Sequence, residues 1–221
     1  MNANAQIMRL LVCFALKEEA VPFHKIAARH PGVITLIVGI GRQNAEKSVR
    51  SFLATSSPEL VLTCGFAGGL NPDLQLGDVV FESGKQKAES RNWEERLLAA
   101  GAKPANFFCA NRIATTVFEK KKLRAETGAD VVEMESTAIQ VVCSDYGIPC
   151  VTVRVISDTA HEDLPLDFNA LAKPDQNLDF GKLAWAIAKS PGKIPALMAV
   201  GKKTKFAAQQ LAEVLAKIIS P

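Results

Sequence analysis

Four short clusters of the sequence carry side chains that could transfer protons or bind a polar small molecule. Glu19 follows the first apolar stretch, Glu133 and Glu135 follow a second, and Asp158 ends a long apolar run that also contains Arg154. A carboxylate at the end of a buried strand is costly unless it is paired or put to use. Desolvation can adapt such a group to general acid catalysis near neutral pH, and an ionised one can accept hydrogen bonds from two vicinal sugar hydroxyls. These positions therefore predict acid–base or sugar-binding chemistry.

Each cluster taken alone also has an ordinary structural explanation. Glu19 fits the acidic first turn of a helix, where a negative charge complements the helix dipole. Glu135 fits a helix start followed by Ser136, and Asp158 fits a capped turn with Arg154 in a structural ion pair. Both interpretations stay open at the level of single clusters.

Two glycine turns are predicted beside these acids, at residues 39–41 and 65–69. Glycine allows backbone amides to approach an anion or a sugar closely. A dinucleotide-binding G-x-G-x-x-G loop would need a third glycine where the chain has Asn44. A nicotinamide- or flavin-dependent oxidoreductase is therefore disfavoured.

The elements that must position these residues are short strands that alternate with helices. Apolar, β-branched runs predict strands over residues 8–14, 33–38, 60–63, 78–81 and 150–156. A helix is predicted over 44–53, and a second one buries a stripe formed by Met134, Ala138, Val142 and Tyr146. Strands buried on both faces between helices indicate a largely parallel sheet in an α/β sandwich.

The last part of the sequence, residues 180–219, contains no strand signal. It predicts two helices that are broken near residues 190–192. The apolar side of the second helix consists of Leu211, Val214, Leu215 and Ile218. With no linker and no internal repeat, residues 1–221 are predicted to form one domain.

Composition excludes several classes of protein. The chain has 221 residues, 48% of them apolar and 22% charged, which is a globular balance. A net charge of +3 is too small to indicate a nucleic acid or a membrane surface as partner, and the run of Lys120, Lys121 and Lys122 is interpreted as a solvated helix face. Five scattered cysteines and three histidines predict neither a metal site nor a disulfide framework, which favours the cytoplasm. The first apolar stretch is interpreted as a buried strand rather than a signal peptide.

The order of the clusters and their residue sequences, taken together, indicate a function more specifically than any single cluster does. The segments ALKEEAVPF, VGIGRQNA, LTCGFAGGLNPDLQLGDVV and VVEMESTAIQVVCSDYGIPCVTVRVISDTA occur in that order. The sequence thereby resembles the purine nucleoside phosphorylase/uridine phosphorylase superfamily, and within it the methylthioadenosine/S-adenosylhomocysteine nucleosidases. The segment EDLPLDF is more similar to the hopanoid-associated phosphorylases. The resemblance implies a three-layer α/β/α sandwich with a central mixed, largely parallel twisted sheet.

The resemblance also implies the reaction, which is cleavage of a ribosyl N-glycosidic bond. Such a reaction needs a protonated leaving base, an oxocarbenium-like sugar and a nucleophile on the opposite face. By resemblance, Asp158 protonates N7 of a purine, Glu135 holds the ribose hydroxyls and Glu19 activates water. Arg154 completes the implied catalytic set, near that water or near a phosphate. The implied substrate-binding residues, besides Glu135, are Met134, Glu133, Phe66, Gly68, Gly41, Ile113 and Ser157.

Three departures from the nucleosidase pattern keep alternatives open. Phe66 stands where those enzymes have a serine, Ile113 stands near an expected stacking aromatic, and Lys17 reverses a charge in the acidic cluster. Retention of Glu19 favours water as the nucleophile, because a phosphate anion needs no general base. Phosphorolysis and a nucleoside-binding protein without activity are the alternatives. The EDLPLDF segment favours an adenosine-type substrate with a bulky apolar 5′ group.

The same resemblance sets the expectations about cofactors and partners. The chemistry needs no cofactor, and inorganic phosphate is a co-substrate only if the reaction is phosphorolysis. The expected partners are a small-molecule nucleoside and further copies of the chain, in a homodimer or a larger homo-oligomer. Neither nucleic acid nor insertion into a membrane is expected.

Overall fold

The computed structural model describes residues 9–82, 91–171, 182, 185 and 188–220, with an eight-stranded sheet at its centre. The strands are β1 (Leu10–Phe14), β2 (Val33–Ile37), β3 (Leu60–Gly69), β4 (Val79–Glu82), β5 (Lys103–Ala105), β6 (Phe107–Cys109), β7 (Val131–Glu133) and β8 (Cys150–Asp158). Their order is β2-β1-β3-β8-β4-β5, and β7 pairs with both β3 and β6. The pairs β3–β7 and β4–β8 are antiparallel, whereas the five other pairs between described strands are parallel. The predicted mixed, largely parallel sheet is confirmed.

Helices cover both faces of the sheet. They are α1 (Lys17–Ala27), α2 (Arg42–Leu53), α3 (Arg91–Ala100), α4 (Val117–Thr127), α5 (Ser136–Asp145) and α6 (Ile194–Ile219), which follows a 3₁₀ turn at Pro191–Lys193. Helices α1, α3 and α6 share one core with the sheet, and α2 and α5 share the other. In β1, Val12 and Phe14 face the first core whereas Leu11 and Cys13 face the second, as the alternation of side chains along a strand requires. The predicted three-layer sandwich is confirmed.

One of the two predicted glycine turns is part of a strand instead. The turn at residues 39–41 is present, with φ of 85° at Gly39 and 83° at Gly41. Residues 65–69, in contrast, continue β3, where they pair with β8 and partly with β7. Gly65 is required there by a close approach, because a Cβ atom would lie 2.8 Å from Oε1 of Glu19.

The two predicted apolar helix faces had different outcomes. Leu211, Val214, Leu215 and Ile218 are all buried in α6, as predicted. The stripe predicted for the second helix is confirmed at Val142 but is wrong at Tyr146, which lies beyond the end of α5 and is 43% exposed. The buried residues of α5 are Ser136, Ile139, Val142 and Cys143. Because the helix starts only at Ser136, its buried face is formed by these residues and not by the full stripe that began at Met134. The first of the two C-terminal helices falls mostly outside the described residues.

The predicted solvated lysine face on α4 is wrong at one position. Lys121 and Lys122 are exposed, but Lys120 is completely buried. On the same helix Phe118 is 76% exposed, so hydropathy and burial are inverted there.

Candidate active site

A cavity of about 1200 Å³ lies at the carboxyl ends of β1, β7 and β8 and along the last part of β3. This is the edge where parallel α/β sheets place their ligands. Nine of the residues predicted from the sequence line it: Glu19, Phe66, Gly68, Ile113, Glu133, Met134, Glu135, Ser157 and Asp158. The two other predicted residues, Gly41 and Arg154, lie behind this wall and contact Glu135 or Glu133.

Glu19 is held from two sides at the start of α1. Its Oε2 accepts a hydrogen bond of 2.8 Å from the amide of Leu16, and its Oε1 accepts one of 2.8 Å from the amide of Phe66. The residue is 4% exposed. Burial raises the pKa of Glu19, although the two amides and Arg154 oppose the change. A carboxyl group that is fixed in place and has a raised pKa is suited to accept a proton from water near neutral pH.

Glu133 holds the backbone and the buried cation of the site. Its Oε2 accepts hydrogen bonds from the amides of Glu135 and Ser136 and from Arg154, at 3.0, 2.8 and 2.7 Å. Its Oε1 accepts the Ser136 hydroxyl at 2.6 Å, and the side chain is fully buried. Burial works against ionisation, but Arg154 and Ser136 hold the pKa of Glu133 below its usual range. These contacts position the neighbours of Glu133, and its predicted role in substrate binding stays a prediction.

Arg154 is likewise a buried structural cation rather than a residue of the cavity wall. Its side chain is 2% exposed and donates to the backbone oxygen of Thr63 at 2.6 Å and to Glu133. It also lies 4.0 Å from Oε2 of Glu135. The guanidinium is directed toward Glu133 and Glu135 of the cavity wall, and its predicted position near the attacking water or a phosphate stays a prediction.

Glu135 differs from Glu133 although it is only two residues away. Its Oε1 accepts a hydrogen bond of 2.7 Å from the amide of Gly41, which places the first glycine turn directly behind it. Burial raises the pKa of Glu135 to about 7, despite the attraction of Arg154. Repulsion by Glu133 adds to this shift. The carboxyl group lines the cavity and is well placed to bind hydroxyl groups of a ligand.

Asp158 lies at the other end of the site, where β8 is irregular. The β3–β8 register shifts between Ala67 and Gly68, so that Gly68 pairs with Asp158 and Ser157 is bulged out. Ser157 Oγ donates to Oδ1 of Asp158 at 2.8 Å. Bulges of this kind re-aim side chains near active sites.

A residue that the sequence did not indicate binds the second oxygen of Asp158. The Nζ atom of the buried Lys120 lies 2.6 Å from Oδ2 of Asp158. The run of three lysines gave no signal that distinguished Lys120 from its neighbours. Only the tertiary contact between α4 and the end of β8 shows which lysine is used.

The outer wall of the cavity is largely apolar. It includes Leu164, Pro165 and Phe168 from the segment after β8, and Ala199 and Val200 from α6. Phe168 is an aromatic side chain of the site that was not predicted.

Polar groups on this outer wall are already paired with one another. The side-chain amide of Asn169 donates to the backbone oxygen of Ile113 at 2.9 Å and accepts from its amide at 2.8 Å. Arg112 forms an ion pair with Glu119, and Lys203 forms one with Glu162. Each of these cations of the wall therefore has a carboxylate partner.

Within the described parts of the chain, no group of three or more histidine, cysteine or acidic residues could hold a metal ion. The same residues include no helix that is both long and apolar enough to cross a membrane.

Comparison with known proteins supports the family resemblance. A family model described as the phosphorylase superfamily matches residues 107–188. The 5′-methylthioadenosine/S-adenosylhomocysteine nucleosidase of Marinomonas sp. (strain MWYL1) is 30% identical over 171 residues, which cover 64% of this chain and 74% of that protein. The chain belongs to the phosphorylase superfamily. The nucleosidase of the same name from Staphylococcus carnosus is 25% identical, with 67% of this chain and 78% of that protein covered.

Two solved structures share the fold of this chain. The 5′-methylthioadenosine/S-adenosylhomocysteine nucleosidase of Neisseria meningitidis, in complex with methylthio-immucillin-A, matches with a TM-score of 0.71 and 18% identity, over 96% of this chain and 98% of that one. Futalosine hydrolase of Helicobacter pylori matches with a TM-score of 0.70 and 17% identity, over 96% and 97%. The predictions of the superfamily, of its fold and of an enzyme that cleaves an N-glycosidic bond are therefore confirmed.

Proposed function

We propose that this phosphorylase-superfamily enzyme hydrolyses the N-glycosidic bond of a purine nucleoside of the adenosine type that carries an apolar 5′ group. Asp158 protonates N7 of the leaving purine, Glu135 binds the ribose hydroxyls and Glu19 takes a proton from the attacking water. The C1′–N9 bond breaks with its electrons going to the protonated base, and the new bond joins C1′ to the water oxygen. The reaction yields the free purine and the free sugar.

The arrangement of two carboxyl groups along β3 carries this proposal. A Cβ atom at Gly65 would lie 2.8 Å from Oε1 of Glu19, and one at Gly68 would lie 3.2 Å from Oδ2 of Asp158. Three residues of strand separate these two positions by about 10 Å. In inverting glycosidases the two carboxyl groups are likewise apart, by roughly 6.5–9.5 Å, so that a water molecule fits on the opposite face of the sugar.

Water is favoured over phosphate because, among the described residues, the two cations that line the cavity already have carboxylate partners. Arg112 and Lys203, which line it, pair with Glu119 and Glu162. Arg154 is buried behind Glu133. Glu19 would moreover repel a phosphate dianion whenever it is ionised.

The apolar 5′ group is favoured by the size and lining of the outer wall. A cavity of about 1200 Å³ is larger than a nucleoside needs, since typical pockets for drug-sized ligands measure roughly 300–1,000 Å³. The wall formed by Leu164, Pro165, Phe168, Ala199 and Val200 offers apolar surface on the side of α6.

Product analysis tests the reaction. The protein is incubated with adenosine, 5′-methylthioadenosine and a 5′-alkylthioadenosine with a long chain, each with and without phosphate. We expect free adenine and free sugar at rates that do not depend on phosphate, with the highest kcat/KM for the long-chain substrate. A sugar 1-phosphate formed only with phosphate would replace hydrolysis by phosphorolysis. Far better turnover of adenosine than of the long-chain substrate would refute the apolar 5′ group.

The role of Glu19 has its own variant and control. Glu19→Gln should lower kcat by about 10²- to 10⁴-fold, because general base catalysis contributes effects of that size. Glu59→Gln changes an exposed carboxylate after α2 and should leave kcat unchanged. Unchanged hydrolysis by Glu19→Gln would contradict the assignment.

Three expectations from the sequence stay predictions alongside this function. They are a homo-oligomer, a location in the cytoplasm and a reaction that uses no cofactor. Light scattering of the purified protein tests the first, since a monomer of 23.8 kDa is readily distinguished from a dimer.

A further inference from the structure

Lys120 is a completely buried lysine with three hydrogen-bond acceptors around its Nζ atom. Asp158 Oδ2 lies at 2.6 Å, the backbone oxygen of Thr159 at 2.7 Å and the backbone oxygen of Glu162 at 3.0 Å. An ammonium group has three N–H bonds, so three acceptors match the charged form, whereas a neutral amine could donate to only two. Lysine is almost never fully buried unless it is paired. Among the described residues, Asp158 is the carboxylate that pairs with it.

The helix register that buries this charge is fixed by several contacts at the start of α4. The amide of Glu119 donates to Oγ1 of Thr116 at 3.2 Å, and the amide of Thr116 donates back to Oε2 of Glu119 at 3.3 Å. Asp163 accepts the amide of Val117 at 2.6 Å. These caps hold a helix that exposes Phe118 and buries Lys120, against the hydropathy of both side chains. A buried lysine beside an exposed phenylalanine is unfavourable for stability, and such exceptions are expected at functional sites.

We propose that Lys120 is a positioning residue for Asp158 in proton transfer to the leaving base; this role rests on the proposed function. The ammonium fixes Oδ2 while the Ser157 hydroxyl binds Oδ1 at 2.8 Å, so the carboxyl group has one orientation. Asp158 takes up a proton from solvent at Oδ1, passes it to N7 of the purine as the C1′–N9 bond breaks, and is left as a carboxylate. Lys120 keeps its three protons and stabilises the new negative charge. The lysine is not itself the acid, because each of its N–H bonds has an acceptor in the protein.

The other charged groups near the Lys120–Asp158 pair do not position Asp158. The carboxylate of Glu162 accepts the amide of Thr159 at 2.8 Å and pairs with Lys203 of α6. Lys203 is therefore directed to Glu162. Within the described residues, Lys120 from α4 is the cation in direct contact with Asp158.

A substrate that needs no proton separates this role from a merely structural one. The N7-methylated form of the same purine nucleoside carries a positive charge on the base, so it leaves without help from an acid. Lys120→Met should lower kcat for the ordinary nucleoside by about 100-fold, a typical share of general acid catalysis. For the N7-methylated nucleoside, kcat should change by less than about threefold. The matched controls are Lys121→Met and Lys122→Met, exposed lysines of the same helix, which should change neither value.

A double-mutant cycle tests whether Lys120 acts through Asp158. In an Asp158→Asn background, Lys120→Met should cause no further fall in kcat for the ordinary nucleoside, because residues that act as a unit are not additive. An equal fall for both substrates, or a further fall in the double variant, would show that the lysine only maintains the loop at Thr159 and Glu162. Either result overturns the inference.

A second variant and a binding experiment cover the case in which Lys120→Met does not fold. Lys120→Gln is neutral but keeps two donors for the backbone oxygens, and it should show the same selective loss.

An inhibitor built on pyrrolo[3,2-d]pyrimidine carries an N–H group at the position of purine N7 and needs the carboxylate form of Asp158. Its Kd should rise at least tenfold in Lys120→Gln, and an unchanged Kd would contradict the role. If the unaltered protein releases no base from any nucleoside, the proposed function itself fails; an active protein with unaffected lysine variants defeats this inference alone.

Discussion

The two ends of the cavity differ in how many buried cations are available for each carboxyl group. At one end, Glu19, Glu133 and Glu135 share the single guanidinium of Arg154, which contacts Glu133 at 2.7 Å and lies 4.0 Å from Glu135. At the other end, Asp158 pairs with the ammonium of Lys120 at 2.6 Å, and Glu162 pairs with Lys203. The first end therefore has three acids for one cation and the second has one for one.

This difference indicates how each end handles protons. One buried cation cannot stabilise three ionised carboxylates, so the acid that it touches ionises easily and the others retain protons to higher pH. The pKa of Glu133 is accordingly lowered by Arg154 and Ser136 despite burial, whereas burial raises that of Glu19 and brings that of Glu135 to about 7. The crowded end holds an acid, Glu135, that exchanges its proton near neutral pH, whereas the matched end holds one carboxyl group in a fixed orientation for the proposed transfer of a proton to the base.

The largest expected effect is loss of the acid at the matched end. Asp158→Asn keeps an oxygen for Lys120 but cannot give a proton to the purine, so kcat should fall by about 10²- to 10⁴-fold. Release of adenine from the preferred substrate measures it. Asp145→Asn, in an exposed ion pair with Arg50 on another surface, is the control and should be fully active. A fall of less than about tenfold in Asp158→Asn would mean that the two ends do not divide the chemistry in this way.

Removing the shared cation should cost the crowded end most of its stability. Arg154→Met leaves Glu133 fully buried without its ion-pair partner, and breaking a buried pair in this way costs about 3–5 kcal/mol. Urea unfolding at pH 8, above the pKa of about 7 of Glu135, measures the change. Arg50→Met removes an exposed arginine with two carboxylate partners and should change stability little. Equal effects of the two variants would show that the buried charge is not shared as described.

The raised pKa of Glu135 predicts that stability falls as pH rises. The folded state holds a proton on Glu135 up to about pH 7, whereas a glutamate of the unfolded chain, with its ordinary pKa of 4.5, loses the proton near that pH. The folded state therefore binds more protons between these values, and the free energy of unfolding should drop across that window by up to about 3 kcal/mol. Glu19 adds a change of the same sign. Thermal melts from pH 5 to pH 8 should show a falling Tm, and Glu135→Gln should flatten the slope while Glu59→Gln preserves it. A Tm that rises through this range would contradict the raised pKa.

The sequence could predict that the carboxyl groups of the candidate site lie together, but not which groups pair with them. Glu19, Glu135 and Asp158 each follow or end a strand, and the carboxyl ends of parallel strands converge at one edge of a sheet. Which cation each acid obtains depends on side chains that are distant in sequence. Lys120 stands between a helix cap and two exposed lysines, so nothing local marks it as buried. The same holds for Gly65, whose lack of a side chain is required by Glu19.

The smallest predicted effect concerns the neighbour of Glu135 and should have the opposite dependence on pH. Ser136→Ala removes the hydroxyl that donates to Oε1 of Glu133 at 2.6 Å, which should cost about 1.5 kcal/mol at pH 7. Ser136 helps to lower the pKa of Glu133, so its stabilisation is present while the carboxylate is ionised and is lost as the pH falls through the lowered pKa. The loss of unfolding free energy in Ser136→Ala should therefore shrink in acid, whereas the loss that deprotonation of Glu135 causes grows toward neutral pH.

Urea unfolding at pH 4 and pH 7 measures both, with Ser144→Ala on the exposed side of α5 as the control. A deficit that is constant between the two pH values would mean that Glu133 stays ionised, or stays protonated, at both. The contrast between these two adjacent acids would then rest on Glu135 alone.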